Sequence, residues 1–174
     1  NVDHGSPRNP AANFAASSRM AAAVSGVEAM YKAKLAKASG CDHVILYRQE
    51  KVSQRVRELT KGAGVPVVYD GVGKDTWPKS LDCLSPRGLM ISFGNASGAL
   101  PPINSGDLNQ RGSLYFTRPT MGHYTATRPD LELSSGRVIA AIKSKKLKIK
   151  INQTYPLKDA AQAHRDLEAR KTTG

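Results

Sequence analysis

Residues 93–98 read FGNASG and follow the apolar run GLMIS. Small residues after a strand leave the backbone uncovered, so that a flat ligand can lie across the strand's carboxyl end. Asn95 can donate a hydrogen bond to such a ligand through its side-chain amide. A plain turn is the alternative interpretation, because glycine and asparagine are common turn residues. Ligand binding against uncovered backbone is therefore the first chemistry that this sequence suggests.

Metal binding and phosphate binding have weaker support. The histidines and cysteines are few and scattered, and they are His4, Cys41, His43, Cys83, His123 and His164. This spacing predicts no metal site, and two cysteines cannot form a disulfide framework. The phosphate-binding pattern G-x-G-x-x-G does not occur in the chain. GVGKDT lacks its third glycine, and GAGVPV precedes a strand instead of following one, so neither fragment predicts a phosphate loop.

The net charge of +12 is compatible with binding to nucleic acid or another polyanion. The densest basic run is AIKSKKLKIK, residues 141–150. Leu147, Ile149 and Ile151 alternate there with lysines, which predicts a half-buried strand whose outer face carries the lysines. No aromatic residue interleaves with them to stack on bases. We favour the strand, and a non-catalytic basic module that binds a polyanion is the alternative function.

The chain divides by composition into a leading segment and one domain. Residues 1–27 are rich in small and polar residues without a sustained period, and we leave them as an unassigned tail or altered segment. Residues 28–174 carry the pattern of a single α/β domain. No secretory signal and no membrane-spanning apolar run is visible, so we expect a cytoplasmic protein without a membrane partner.

Strand and helix signals alternate along this domain. The apolar, strand-like runs are HVILY (43–47), VPVVYDGVG (65–73), GLMISFG (88–94) and GSLYFTRP (112–119). Helical patterns stand between and after them, and the one that ends at Gly40 has a typical helix stop. This order predicts a doubly wound, mostly parallel sheet with helices on both faces. Ligands of such sheets bind beyond the carboxyl ends of the strands, where FGNASG lies.

Most of the chain, from about residue 32 to residue 174, resembles a known family. The stretches that carry the resemblance are VILYRQE, VVYDGVGKDTWPKSLDCLSPRGLMISFGNASGAL, LNQRGSLYFTRPT and YPLKDAAQAHRDLEARKTTG. They resemble the cofactor domain of NADPH-dependent quinone oxidoreductases, the zeta-crystallin-like branch of the medium-chain dehydrogenases. The resemblance implies a Rossmann-like domain that lacks its first strand and glycine-rich turn, with NADPH as cofactor. It also implies a quinone or other small electrophile as substrate and independence of zinc. It further implies a homodimer formed through the strand at 112–118, with Leu114, Tyr115 and Phe116 at or near the interface.

The resemblance assigns the adenosine end of the cofactor to four residues. Lys32 matches a lysine that contacts the 2′-phosphate, and Tyr47 matches a tyrosine near the adenosine ribose. Gly71 stands on the adenine side, where relatives often have serine. Arg170 matches a cation that closes on the cofactor. An exposed helical lysine, a core tyrosine and a helix-end arginine are the alternative interpretations of Lys32, Tyr47 and Arg170.

The nicotinamide end is assigned to two segments. Phe93, Gly94 and Asn95 match the segment over the nicotinamide ribose, and Ala96 follows them where serine is common. Pro119, Thr120 and Met121 (residues 119–121) match the loop that approaches the nicotinamide. The resemblance thus predicts that residues 93–96 and 119–121 face one ligand, with the backbone N–H groups after Gly94 directed toward it.

Overall fold

The structure is a computed structural model that describes residues 21–24, 29–47, 49–77, 79–169 and 171–172. The chain divides into two compact units, Asn1–Glu50 and Lys51–Gly174. In the first unit, strand β1 (Ala21–Val24) pairs in parallel with strand β2 (His43–Leu46), and helix α1 (Ala29–Ala38) lies between them in sequence. β1 falls in the segment that the sequence left unassigned, whereas α1 and β2 were predicted.

The second unit contains a three-stranded sheet in the order β3–β4–β5. Its strands are β3 (Val65–Asp70), β4 (Leu84–Ser92) and β5 (Tyr115–Thr117), and both pairings are parallel. The connecting helices are α2 (Val52–Leu59) before β3, α3 (Lys79–Asp82) before β4 and α4 (Ser105–Gln110) before β5. Parallel strands that alternate with helices confirm the predicted α/β class.

The core of this unit packs between α3 and β4. Leu81 and Met90 are 0% exposed and Leu84 is 1% exposed. Trp77 and Leu114 complete the cluster. The Trp77 ring meets the Phe116 ring edge-on, with 5.8 Å between the ring centroids, which is a favourable aromatic geometry. These contacts fix the strands, and so fix the points from which the loops at their carboxyl ends begin.

The chain after β5 is helical and exposed. It forms α5 (Met121–Tyr124), α6 (Arg128–Lys143), a single 3-10 turn (Leu157–Asp159) and α7 (Ala160–Glu168). Among the described residues that follow Leu114, none is buried. The exposed large apolar side chains of α6 are Leu131, Leu133, Val138, Ile139 and Ile142. No helix in the described ranges is long and apolar enough to cross a membrane.

The predicted lysine-covered strand is not formed. Residues 144–156 contain no strand, and Leu147, Ile149 and Ile151 are 42%, 63% and 77% exposed. Alternation of apolar and charged residues predicts a strand only if a neighbouring strand pairs with it. Within the described part of the chain, no strand pairs with this segment. The prediction was therefore wrong for the chain in this structure.

Candidate functional site

Two loops leave the carboxyl ends of the paired strands β3 and β4. We call residues 71–76 the β3 loop and residues 93–98 the β4 loop. Backbone and side-chain hydrogen bonds join them, and these bonds are Phe93 N to Asp70 O (2.9 Å), Ala96 N to Gly71 O (3.3 Å), Ser97 N to Val72 O (2.8 Å), Lys74 N to Gly98 O (3.2 Å) and Asp75 N to Ser97 Oγ (3.0 Å). The two loops therefore form one continuous unit at the edge of the sheet.

Two glycines allow this close approach. A β-carbon at Gly94 would stand 2.3 Å from the carbonyl oxygen of Gly71, and one at Gly73 would stand 2.6 Å from that of Gly98. The uncovered backbone of FGNASG thus contacts the neighbouring loop. The sequence predicted that the N–H groups after Gly94 face a ligand. For Ala96 and Ser97 that prediction was wrong, because both amides donate to the β3 loop.

Asp70, the last residue of β3, anchors the β3 loop. Asp70 is 4% exposed, and its carboxylate accepts four hydrogen bonds. The donors are Val72 N (2.8 Å) and Gly73 N (3.1 Å) to Oδ1, and the hydroxyls of Thr76 (2.6 Å) and Ser80 (2.7 Å) to Oδ2. Burial opposes ionisation, but these hydrogen bonds outweigh it and hold the pKa of the Asp70 carboxyl below its ordinary value. Asp70 is therefore a carboxylate at neutral pH.

A groove with a volume of about 490 Å³ lies beside the β4 loop. It is lined by Phe93, Arg118, Pro119, Thr120, Met121 and Tyr124. Phe93, Met121 and Tyr124 are 56%, 79% and 66% exposed, so that aromatic and apolar surface faces solvent there. Such a surface, with one cation at its side, suits a flat ligand that carries some polar groups.

Arg118 connects the two segments that line the groove. Its Nη1 donates a hydrogen bond to the carbonyl oxygen of Ser92, at 2.8 Å, and Ser92 ends β4. The segment after β5 is thereby held against the end of β4. This bond explains why Phe93 and residues 119–121, which are distant in sequence, line one groove.

Gly71 leaves room for the ring of Phe93. The Cζ atom of Phe93 lies 3.0 Å from the place that a β-carbon on Gly71 would take. A serine at this position would require the ring to shift by a few tenths of an ångström. Glycine at position 71 thus permits the present position of Phe93 over the β3 loop.

The structure brings only part of the predicted site together. Phe93 and residues 119–121 share the groove, while Gly71, Gly94, Asn95 and Ala96 belong to the joined loops. Lys32 lies within α1 and Tyr47 directly follows β2, both in the first unit. Arg170 lies outside the described residues. The ligand contacts of all these residues stay predictions.

Sequence reasoning assigned no role to several residues of this region. Asp70 was placed at the end of a strand without a function, and Arg118 and Tyr124 were not predicted to belong to the site. Arg118 directly precedes the predicted loop at 119–121, which was the available signal. Tyr124 follows that loop by one helical turn, the distance at which α5 returns to the same face.

Comparison with protein families identifies the chain. Residues 39–174 match the family described as zinc-binding dehydrogenase. The chain belongs to the zinc-binding dehydrogenase family. The family name raises the question of whether the residues of this chain fit a zinc site.

They do not fit one within the described residues. No group of three or more His, Cys, Asp or Glu side chains in that part of the chain could hold a metal ion. Cys83 is buried, and burial together with the nearby Asp82 raises the pKa of its thiol to about 11. A protonated thiol is a poor zinc ligand. We assign no zinc-dependent step to these residues.

Quinone oxidoreductases are similar to this chain in sequence and structure. The quinone oxidoreductase of Pseudomonas aeruginosa is 51% identical over 143 residues, which are 82% of this chain and 44% of that protein. A crystal structure of the Pseudomonas syringae quinone oxidoreductase aligns with a TM-score of 0.82 and 47% identity, covering 90% of this chain and 47% of that one. The Escherichia coli quinone oxidoreductase complexed with NADPH aligns with a TM-score of 0.73 and 41% identity, covering 90% of this chain and 56% of that one.

These alignments identify the fold as the Rossmann-like domain of this family. The chain spans less than half the length of the curated relative that it matches. Activity, substrate and partners of the whole protein are therefore matters for proposal and experiment.

Proposed function

We propose that this chain is part of the NADPH-binding domain of a cytoplasmic quinone oxidoreductase, which reduces quinones or related small electrophiles. The observation that carries the proposal is the groove, because it joins Phe93 to residues 119–121. The family resemblance assigns both segments to the nicotinamide end. The groove lies beside a loop at the carboxyl end of a parallel strand, where open α/β sheets bind ligands. The relative that was crystallised with NADPH supports the choice of cofactor.

The residues of the chain would hold the cofactor at both ends. Phe93, Thr120 and Met121 would contact the nicotinamide end, and Asn95 would donate a hydrogen bond there. Lys32 and Arg170 would supply positive charge to the 2′-phosphate, with Tyr47 and Gly71 on the adenosine side. Bound NADPH supplies the reducing equivalents, so the protein needs no nucleophile of its own. Placement of the ligand is the contribution of this chain.

The test is a chimera in which residues 32–174 replace the corresponding part of the Pseudomonas aeruginosa relative. We expect the chimera to oxidise NADPH in the presence of a quinone. The chain of 174 residues alone should bind NADPH weakly and turn over little, because its sequence lacks the glycine-rich phosphate turn. Tight binding by the chain alone would show that this turn is dispensable, and a folded but inactive chimera would contradict the proposal.

The same chimera tests the choice of NADPH over NADH. Lys32→Glu should weaken NADPH binding by about tenfold or more and leave NADH binding nearly unchanged, because only NADPH carries the 2′-phosphate. Lys34→Glu is the matched control, since Lys34 is an exposed lysine on the same helix. Equal effects of both changes, or equal affinity of the unaltered chimera for NADPH and NADH, would remove Lys32 from this role.

We also propose a homodimer formed through the strand at 112–118. β5 lies at one edge of the described sheet, and an uncovered edge can pair with another chain. Of the three residues expected at this interface, Leu114 is buried in the core and Phe116 packs against it, whereas Tyr115 is 63% exposed. Substitution of Tyr115 can therefore test whether this edge pairs with a second chain.

Tyr115→Lys should convert the dimer into a monomer, because lysine on an edge strand disfavours edge-to-edge pairing. Tyr69→Lys is the control, since Tyr69 is a 70% exposed tyrosine on the opposite edge strand β3. Light scattering over micromolar concentrations measures the mass. A wild-type monomer throughout this range, or dissociation by both changes alike, would contradict a dimer through β5.

A further inference from the structure

Asp70 is connected to the proposed ligand site by an unbroken series of hydrogen bonds. Its carboxylate accepts from the amides of Val72 and Gly73 and thereby fixes the backbone of the β3 loop. The carbonyl oxygens of Gly71 and Val72 then accept from the amides of Ala96 and Ser97 in the β4 loop. The position of the β4 loop, which begins at Phe93, thus depends on where Asp70 holds the β3 loop.

The hydrogen bonds of the Asp70 carboxylate come from the β3 loop and α3 and not from the neighbouring strand. Asp70 is paired in register with Ser92 of β4. The Ser92 hydroxyl is buried and finds no hydrogen-bond partner among the described residues, so it does not bond Asp70. The two hydroxyl donors, Thr76 and Ser80, reach Oδ2 from the end of the β3 loop and from α3.

We propose that Asp70 is a positioning residue, which sets the β4 loop at the distance and orientation that NADPH binding requires. It contacts no ligand itself and acts through the β3 loop. The proposal rests on the proposed function, because it requires that residues 93–96 contact the cofactor. It predicts that loss of the hydrogen bonds to the Asp70 side chain weakens NADPH binding beyond what loss of stability alone would cause.

Variants of Asp70 differ in the hydrogen bonds that they can keep. Asp70→Leu has a similar shape but accepts none of the four bonds, so NADPH affinity in the chimera should fall by about tenfold or more. Asp70→Asn keeps one oxygen for the amides of Val72 and Gly73, while its NH₂ group can donate to the hydroxyls of Thr76 and Ser80. Affinity should therefore be largely rescued in Asp70→Asn.

The control separates positioning from stability. Leu81→Ala removes a core side chain without touching any bond of Asp70, and folded Leu81→Ala should bind NADPH as the unaltered chimera does.

A second pair of variants tests the proposal if Asp70→Leu does not fold. Thr76→Val and Ser80→Ala each remove one hydroxyl that donates a hydrogen bond to Oδ2 of Asp70, but only Thr76 lies in the β3 loop. We expect Thr76→Val to weaken NADPH binding several-fold more than Ser80→Ala.

Calorimetric titration with NADPH gives the affinities, and hydrogen exchange of the Ala96 and Ser97 amides reports the loops directly. Asp70→Leu should speed exchange at both amides more than Leu81→Ala does. The proposal is overturned if Asp70→Leu binds NADPH normally, if Asp70→Asn and Asp70→Leu lose equal affinity, or if Thr76→Val and Ser80→Ala behave alike. Absence of NADPH binding by the unaltered chimera would instead refute the proposed function, and the exchange rates would then decide the role of Asp70.

Discussion

Gly94→Ala is expected to separate the two loops and to remove most NADPH binding. The new β-carbon would stand 2.3 Å from the carbonyl oxygen of Gly71 and 2.8 Å from its α-carbon. Both are backbone atoms within the hydrogen-bonded loops, so the overlap can be relieved only if backbone moves. Overpacking of this kind costs about 1–3 kcal/mol of the free energy of unfolding. In the chimera, NADPH affinity should also fall by about tenfold or more, because Asn95 and Ala96 move with Gly94.

Urea unfolding and calorimetric titration measure the two effects of Gly94→Ala. Gly136→Ala is the matched control, because Gly136 lies within α6 and a β-carbon there would meet nothing within 4 Å. Alanine in a helix interior is favoured over glycine by up to about 1 kcal/mol, so the control should unfold at slightly higher urea. If Gly94→Ala binds NADPH as tightly as Gly136→Ala, the β4 loop does not contact the cofactor.

Leu81→Ala should strongly destabilise the second unit. Leu81 is 0% exposed and packs in one cluster with Trp77, Leu84, Met90 and Leu114. Removal of a fully buried leucine side chain leaves a cavity and costs about 2–5 kcal/mol. Urea unfolding of the 174-residue chain, followed by far-ultraviolet circular dichroism, measures the change. The free energy of unfolding should fall while the folded state keeps its secondary structure.

Leu157→Ala provides the comparison with an exposed leucine. Leu157 is 91% exposed, so the same chemical change there should alter the free energy of unfolding by no more than about 0.5 kcal/mol. If both substitutions lowered the free energy of unfolding by similar amounts, the packing around α3 would not stabilise this unit. The contrast between the two leucines thus tests where the core lies.

The central strands could be predicted because their signals are local. β3 and residues 88–92 of β4 are nearly continuous apolar runs followed by glycine or polar residues, which is a typical strand signal. β4 itself begins before the predicted run, at Leu84. Gly40, with a φ of +99°, follows the predicted helix α1 for an equally local reason. Such features depend on the chemistry of a few neighbouring residues and need no knowledge of distant partners.

The joined loops and the 144–156 segment could not be predicted, because both depend on partners that are remote in sequence. Bonds between backbone amides and carbonyls, such as Ser97 N to Val72 O, have no side-chain signature. The lysine-rich alternation around Ile149 satisfies the strand pattern, but no described strand lies beside it to pair with. Phe93 and residues 119–121 were grouped only through the family resemblance, and the Arg118 bond that joins their segments was not foreseen.

The sheet of the second unit has a consequence for the order in which the chain folds. Its pairings join consecutive strands, Val65 with Leu84 and Leu89 with Tyr115, so each closes a loop that is short in sequence. Because the entropy lost on closure grows with loop length, these pairings cost less than pairings between strands farther apart in the chain. Among the described residues, every buried side chain of this unit precedes Tyr115. During synthesis the core can therefore close before α6 and α7 have left the ribosome.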